Sequence, residues 1–177
     1  MPMSRTRSFR TLTLVVVAVA PSFVACSSPP GLRRPTDGVV LEGDATQTQL
    51  SAFLQREAKD WAWAGGQFDT PEDRATLAAS TPQTFSWHAD PADFAESDVP
   101  GDVVMTHLLE FSTNQSSNAL RVFTTLPEYT PDTSAWQTLV AAHEPITVSL
   151  STGSFVAAAL PEDGGPFIGQ ALAFTIE

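Results

Sequence analysis

Five short runs in the second half of the chain alternate side chains one residue at a time. Phe85 and Trp87 alternate with Thr84, Ser86 and His88; His107, Leu109 and Phe111 with Thr106, Leu108 and Glu110. Leu120, Val122 and Thr124 alternate with Arg121 and Phe123; Ile146, Val148 and Leu150 with Thr147 and Ser149; Leu172, Phe174 and Ile176 with Ala173 and Thr175. Period-two spacing sends one set to a core face and the other to the opposite face of a strand. Asn114-Gln115-Ser116-Ser117-Asn118, between two of the runs, is a polar hairpin loop. Thr152-Gly153 and Gly164-Gly165-Pro166 read as further turns. The layout predicts roughly seven strands without long crossover helices, hence a mainly β, antiparallel sandwich. A chain of 177 residues, 42% hydrophobic, is long enough for one ordinary domain with a core and too short for two large ones. No repeat at solenoid or propeller spacing is present in the sequence.

Ahead of the strands the pattern changes. Val39-Val40-Leu41 reads as a short strand. Leu50, Phe53, Leu54, Ala58 and Trp61 then fall three or four apart, which predicts one N-terminal amphipathic helix over Asp44 to Trp61. Asp44 with Gln47 resembles a capping box at its start. Gly65-Gly66 stops any continuation.

The first residues look like an address rather than a fold. Arg5, Arg7 and Arg10 form a positive head with no acid among them, and an apolar stretch from Thr11 to Ala20 follows, broken by Pro21. A positive head, a short apolar run and a small residue before a cut make a secretory signal. A run near ten residues is too short to span a bilayer, which takes roughly 20. The one Cys of the chain, Cys26, sits where the cut would make it the new N-terminus. Phe23-Val24-Ala25-Cys26 resembles the lipobox of a bacterial lipoprotein signal peptide, with Phe23 where Leu is usual and Val24 where Ser or Ala is usual. The resemblance implies diacylglycerol on the Cys26 sulfur, cleavage before it and acylation, for example by palmitate, of its new amine. In that family a residue other than Asp after the Cys, here Ser27, implies sorting to the outer membrane in double-membraned bacteria, so the expected location is the outer membrane or the cell surface, with a periplasm-facing placement as the alternative. The sequence then divides into a signal peptide over 1–25, a lipidated Cys and flexible tether over 26–38, a strand and helix over 39–70, and the sandwich over 71–177. Ser27 to Gly38 is rich in Pro, Gly and Ser. As a tether it reaches at most about 40 Å, at ~3.3 Å per extended residue.

One Cys excludes an internal disulfide framework and any Cys-rich zinc module. The whole chain carries a net charge of -11. Residues 1–25 hold three Arg and no acid, so removing them leaves six basic against 20 acidic residues, a net -14. Beyond Arg74 the one basic side chain is Arg121, against twelve acids. That balance argues against a nucleic-acid partner, which needs clustered Lys and Arg. It also leaves membrane attachment to the lipid, not to a basic patch.

Pro82-Gln83-Thr84-Phe85-Ser86-Trp87, the strands after Thr106 and the closing Phe167 to Ile176 run together resemble the immunoglobulin-like or fibronectin type III-like sandwiches of bacterial surface proteins. The resemblance covers residues 71–177. The paired Cys of antibody-type domains is absent, and the fibronectin-like variant does without them. The resemblance implies binding, spacing or adhesion and no chemistry, with an envelope protein or a glycan as the partner.

Candidate sites are few. His88 to Asp102 holds Asp90, Asp93, Glu96, Asp98 and Asp102, five carboxylates beside an imidazole. Calcium takes six to eight oxygen ligands, so this segment is the raw material for a calcium site, and otherwise a solvated acidic loop. The alternate spacing and turn Gly of an EF-hand are missing. His88, His107 and His143 lack ligand spacing, so zinc would need the fold to bring them together. Gly153-Ser154 lacks the second glycine of a nucleophile elbow, and no phosphate loop, dinucleotide fingerprint or metalloprotease helix is present. The chain is therefore expected to be a non-enzyme without a cofactor beyond the lipid, with a small envelope hydrolase as an alternative. Among the aromatics, Trp61, Trp87 and Trp136 are expected in the core, and Trp63 and Tyr129 on an exposed binding surface.

Overall fold

The computed structural model of the chain describes residues 36–89 and 102–177, and at Ala62 and Trp63 the backbone alone. The signal segment, Cys26, the tether through Pro35 and the carboxylates Asp90, Asp93, Glu96 and Asp98 lie outside the described residues. The described part is mainly β, with two sheets packed face to face. In chain order the elements are β1 (Val39–Glu42), α1 (Gln47–Leu54), α2 (Ala62–Gly65), β2 (Gln67–Thr70), β3 (Ala75–Leu77), β4 (Phe85–His88), β5 (Val103–Ser112), β6 (Leu120–Thr124), β7 (Glu128–Tyr129), α3 (Thr133–Val140), β8 (Ile146–Val156) and β9 (Phe167–Ile176).

The larger sheet has the order β1-β6-β5-β8-β9-β3, and the smaller has β2-β4-β7. The middle of the larger sheet, from β6 across to β9, is antiparallel: His107 faces Thr124 on one side and Thr152 on the other. Two expectations fail here. The sheet is not antiparallel throughout, because β1 runs parallel to β6 and β3 parallel to β9. Nor is Thr152-Gly153 a turn: both residues lie inside β8, opposite His107 and Thr106. A Cβ on Gly153 would stand 2.9 Å from the Phe53 ring, so that glycine makes room for a packed side chain instead of reversing the chain.

Alternation decides what each face of the larger sheet meets. Leu109, Phe111, Val122, Val148, Leu150, Leu172 and Phe174 point toward the smaller sheet and pack with its Phe85, Trp87 and Tyr129. Phe85 meets Phe111 edge-on at 5.1 Å. Trp136 and Leu139 of α3 join this core, with Trp136 Nε1 donating to the Ala79 carbonyl at 3.0 Å. Leu108, Phe123 and Phe155 point the other way, against Leu50, Phe53 and Leu54 of α1. Residues such as Leu108 and Leu109, buried side by side on opposite faces, explain why β5 reads less strictly alternating than its neighbours.

The amphipathic helix is shorter than its apolar spacing predicts. Its capping box is Thr46 with Gln49, not Asp44 with Gln47: Thr46 Oγ1 accepts from the Gln49 amide at 3.2 Å, and Gln49 Oε1 accepts from the Thr46 amide at 2.9 Å. After Leu54 the backbone leaves the helix because Lys59 pairs with β9 instead, donating to the Pro166 carbonyl and accepting from the Ile168 amide. Ala58 and Trp61 therefore extend no helical stripe. The next turn, α2, ends at Gly66 with φ +91. Gly65 lies backbone against backbone with Ile168 and Gly169, where an added Cβ would come within 2.2 Å.

Candidate functional site

The tyrosine expected at a binding surface is a core residue. Register pairs Tyr129 with Phe85, which turns its ring inward to within 6.5 Å of Phe111. Burial, followed by the nearby Glu42 and Asp132 carboxylates, pushes its hydroxyl up to about 12. Of the paired expectation, Trp63 lies on α2 with its side chain outside what is described. Among the described residues the large aromatic left exposed is instead Trp61, at 46%. Trp87 and Trp136 are buried.

Trp61 is held in place rather than free. Its ring packs edge-on against Phe167 at 5.5 Å and 83°. Lys59 Nζ stands 5.9 Å above the same Phe167 ring and donates to the Glu162 carbonyl at 2.8 Å. Arg56 reaches the same loop, donating to the carbonyls of Leu160 and Pro161, each at 2.7 Å. Two of the few cations of the chain thus staple residues 160–163 to the segment after α1, and Trp61 caps that corner.

The outer face of the smaller sheet gathers polar side chains that lie far apart in the sequence. β2 pairs with β4, so Asp69 Oδ1 meets His88 Nδ1 at 2.8 Å, both side chains half exposed. Thr70 Oγ1 and Ser86 Oγ share a hydrogen bond of 2.7 Å, and Thr84 with Thr130 another of 2.7 Å. The Asp69 carboxylate thus fixes the orientation of the His88 ring. The Ser86 hydroxyl is engaged by Thr70, so the face orients an imidazole without arming a nucleophile. The 19-residue separation of Asp69 and His88 hides this pair from spacing arguments; only the strand register reveals it.

The histidines are not brought together. His88 is on the outer face of the smaller sheet, whereas His107 is buried on the inner face of the larger one, edge-on to Trp87 at 5.4 Å. Burial holds His107 down at about 4. Its Nδ1 lies 3.0 Å from Thr152 Oγ1, and that hydroxyl donates to the Gly65 carbonyl at 2.8 Å. A hydroxyl has one proton. Since the Gly65 carbonyl accepts it, Nδ1 must carry the imidazole proton. The chain His107 to Thr152 to Gly65 thus ties α2 to the middle of the sheet. Among the described residues no three His, Cys, Asp or Glu side chains gather closely enough to hold a metal ion. Asp102, the described member of the expected calcium set, is exposed immediately before β5.

No family model, no curated protein and no solved structure matches this chain.

Proposed function

We propose that the protein is a lipid-anchored envelope protein whose β body serves as a non-catalytic binding or structural module at the outer membrane or cell surface. The observation that carries this reading is the order of the parts. An arginine head, an apolar run and the lone Cys26 are followed by a Pro- and Ser-rich spacer, and β1 begins at Val39. Such a spacer holds a compact body clear of a bilayer to which one acylated residue attaches it. Within this reading the body is an immunoglobulin-like sandwich, supported by the face-to-face sheets and by Trp87 filling the core from an early strand. The envelope protein or glycan it binds would be met by exposed features such as Trp61.

The test is Cys26→Ala in the full chain. It is expected to give an unprocessed or soluble protein, whereas the parent fractionates with membranes. Normal maturation and membrane fractionation of the variant would overturn the anchoring. A pull-down from solubilised envelope with the mature chain, run with and without calcium, reads the binding role and the part of Asp90, Asp93, Glu96, Asp98 and Asp102 together.

A further inference from the structure

The two sheets have four edges, and three of them are blunted. β3 is three residues long and follows the charged Asp73 and Arg74. β2 carries a register shift between Phe68 and Thr70, with Pro71 directly after it. β7 is two residues long, between Pro127 and Pro131. Short length, bulges, charge and proline are the devices that keep a strand edge from pairing with another chain. The fourth edge, β1, is also short, at four residues, and carries Glu42, but it has no register shift and no proline directly beside it. Its sequence is Val-Val-Leu-Glu, and among the described residues its one neighbour is β6. Val40 is 37% exposed and Leu41 36%, and Leu126, 44% exposed, sits over Gly43 at the end of the strand.

Charge names what the edge accepts. Glu42 lies within the strand, and Asp37 and Asp44 border it in sequence. No described cation faces the edge. Arg56 and Lys59 are bound to residues 160–163, and Arg74 pairs with Asp73. Arg121 is buried, 3.2 Å from Glu110. A second copy fits poorly: antiparallel pairing of β1 with itself about Val40 and Leu41 sets Asp37 opposite Asp44, and like charges in register repel.

We propose that the outer edge of β1 is a strand-addition site for an extended segment of a partner protein in which apolar residues alternate with Lys or Arg. The proposal rests on the binding reading above and names the partner's chemistry. Main-chain hydrogen bonds would hold the segment; because Leu41 and Glu42 lie on opposite faces of the strand, Leu41 would meet its apolar side chains on one face and Glu42 its basic ones on the other.

The experiment uses the full chain in detergent and a fluorescent nine-residue peptide alternating valine and lysine. Polarisation is expected to show saturable binding, and hydrogen exchange slower amides within Val39–Glu42. A peptide of the same charge with alternate backbone nitrogens methylated should bind at least tenfold more weakly, as should one with glutamate for lysine. Val40→Lys, at an exposed position, should weaken binding tenfold without moving Tm. Equal binding by the methylated peptide, unchanged affinity of Val40→Lys, or no protection of Val39–Glu42 overturns the proposal. So does protection of these amides by self-association in the absence of peptide. A partner pulled from the envelope equally by the parent and by Val40→Lys leaves the binding module standing and removes the edge as its site. A pull-down without any partner counts against the module itself.

Discussion

At the scale of single residues, His107 links the fold to acidity. Its neutral ring donates from Nδ1 to Thr152 and packs against Trp87, where a charged ring would lose solvent. The ordinary imidazole value of 6.5 applies in the unfolded chain, and about 4 in the folded one. As pH falls the unfolded chain therefore takes up the proton first. The contribution to stability is present in full above pH 6.5, falls between 6.5 and 4, and is gone below. At ~1.36 kcal/mol for each pH step between those two values, the total is about 3 kcal/mol. Urea unfolding at pH 7 and 4.5 should show most of that amount lost from this group. His107→Asn, which keeps a donor toward Thr152, should show a correspondingly shallower pH dependence, and an identical one would refute the assignment. None of this is legible in the sequence, where His107 is one alternating residue among many; burial on the inner face follows only once β5 has partners on both sides. Tyr129 misleads for a related reason. Two residues flanked by prolines look like a loop, yet pairing with β4 makes them a strand and turns the ring inward.

Among elements, those whose inner face is regular are readable: β4, β5, β6, β9 and the first half of β8 all announce themselves by alternation. The short edges are not. β2 has a single apolar residue, Phe68, and β3 is too brief to show a period. Apolar spacing carries the N-terminal helix too far because Ala58 and Trp61 keep the stripe while Lys59 takes its hydrogen bonds from β9. Spacing records which side chains are apolar, and backbone competition decides where the helix ends. Glycine meaning is similarly contextual. Gly65 has an ordinary φ, but a side chain there would collide with the backbone of Ile168 and Gly169. Gly38 has φ +74 and open space around it. Gly65→Ala should cost about 3 kcal/mol or more, because backbone cannot yield as a side chain can. Gly38→Ala should cost about 1 kcal/mol, from conformation alone. Thermal unfolding of the two variants checks the order, and equal losses would mean that α2 shifts freely on β9.

For the whole molecule, charge is the dominant long-range term. A net -14 beyond residue 25 is left after the described cations have found local partners. What remains is mutual repulsion between carboxylates, which acts over the screening length. Raising NaCl from about 10 to about 300 mM shortens that length from about 30 Å to under 8 Å. Stability should rise by on the order of 1 kcal/mol, or about 3 °C in Tm. A fall in Tm would mean that the ion pairs such as Arg121 with Glu110 outweigh the repulsion.

The order of strands in the larger sheet also sets a timetable. Its two outer strands come from the first half of the chain, yet β1 waits for β6 and β3 for Phe174–Ile176. The inner four strands all follow Asp102. A ribosome that has released only the residues up to there has made no complete sheet, and α1 has no Leu108, Phe123 or Phe155 to settle on. If the chain is exported as proposed, its leading end would engage a translocation pore before the larger sheet could close, and the native state would form only after the last strand had passed through. On the proposed route to the envelope, the topology itself postpones folding until the far side of the membrane.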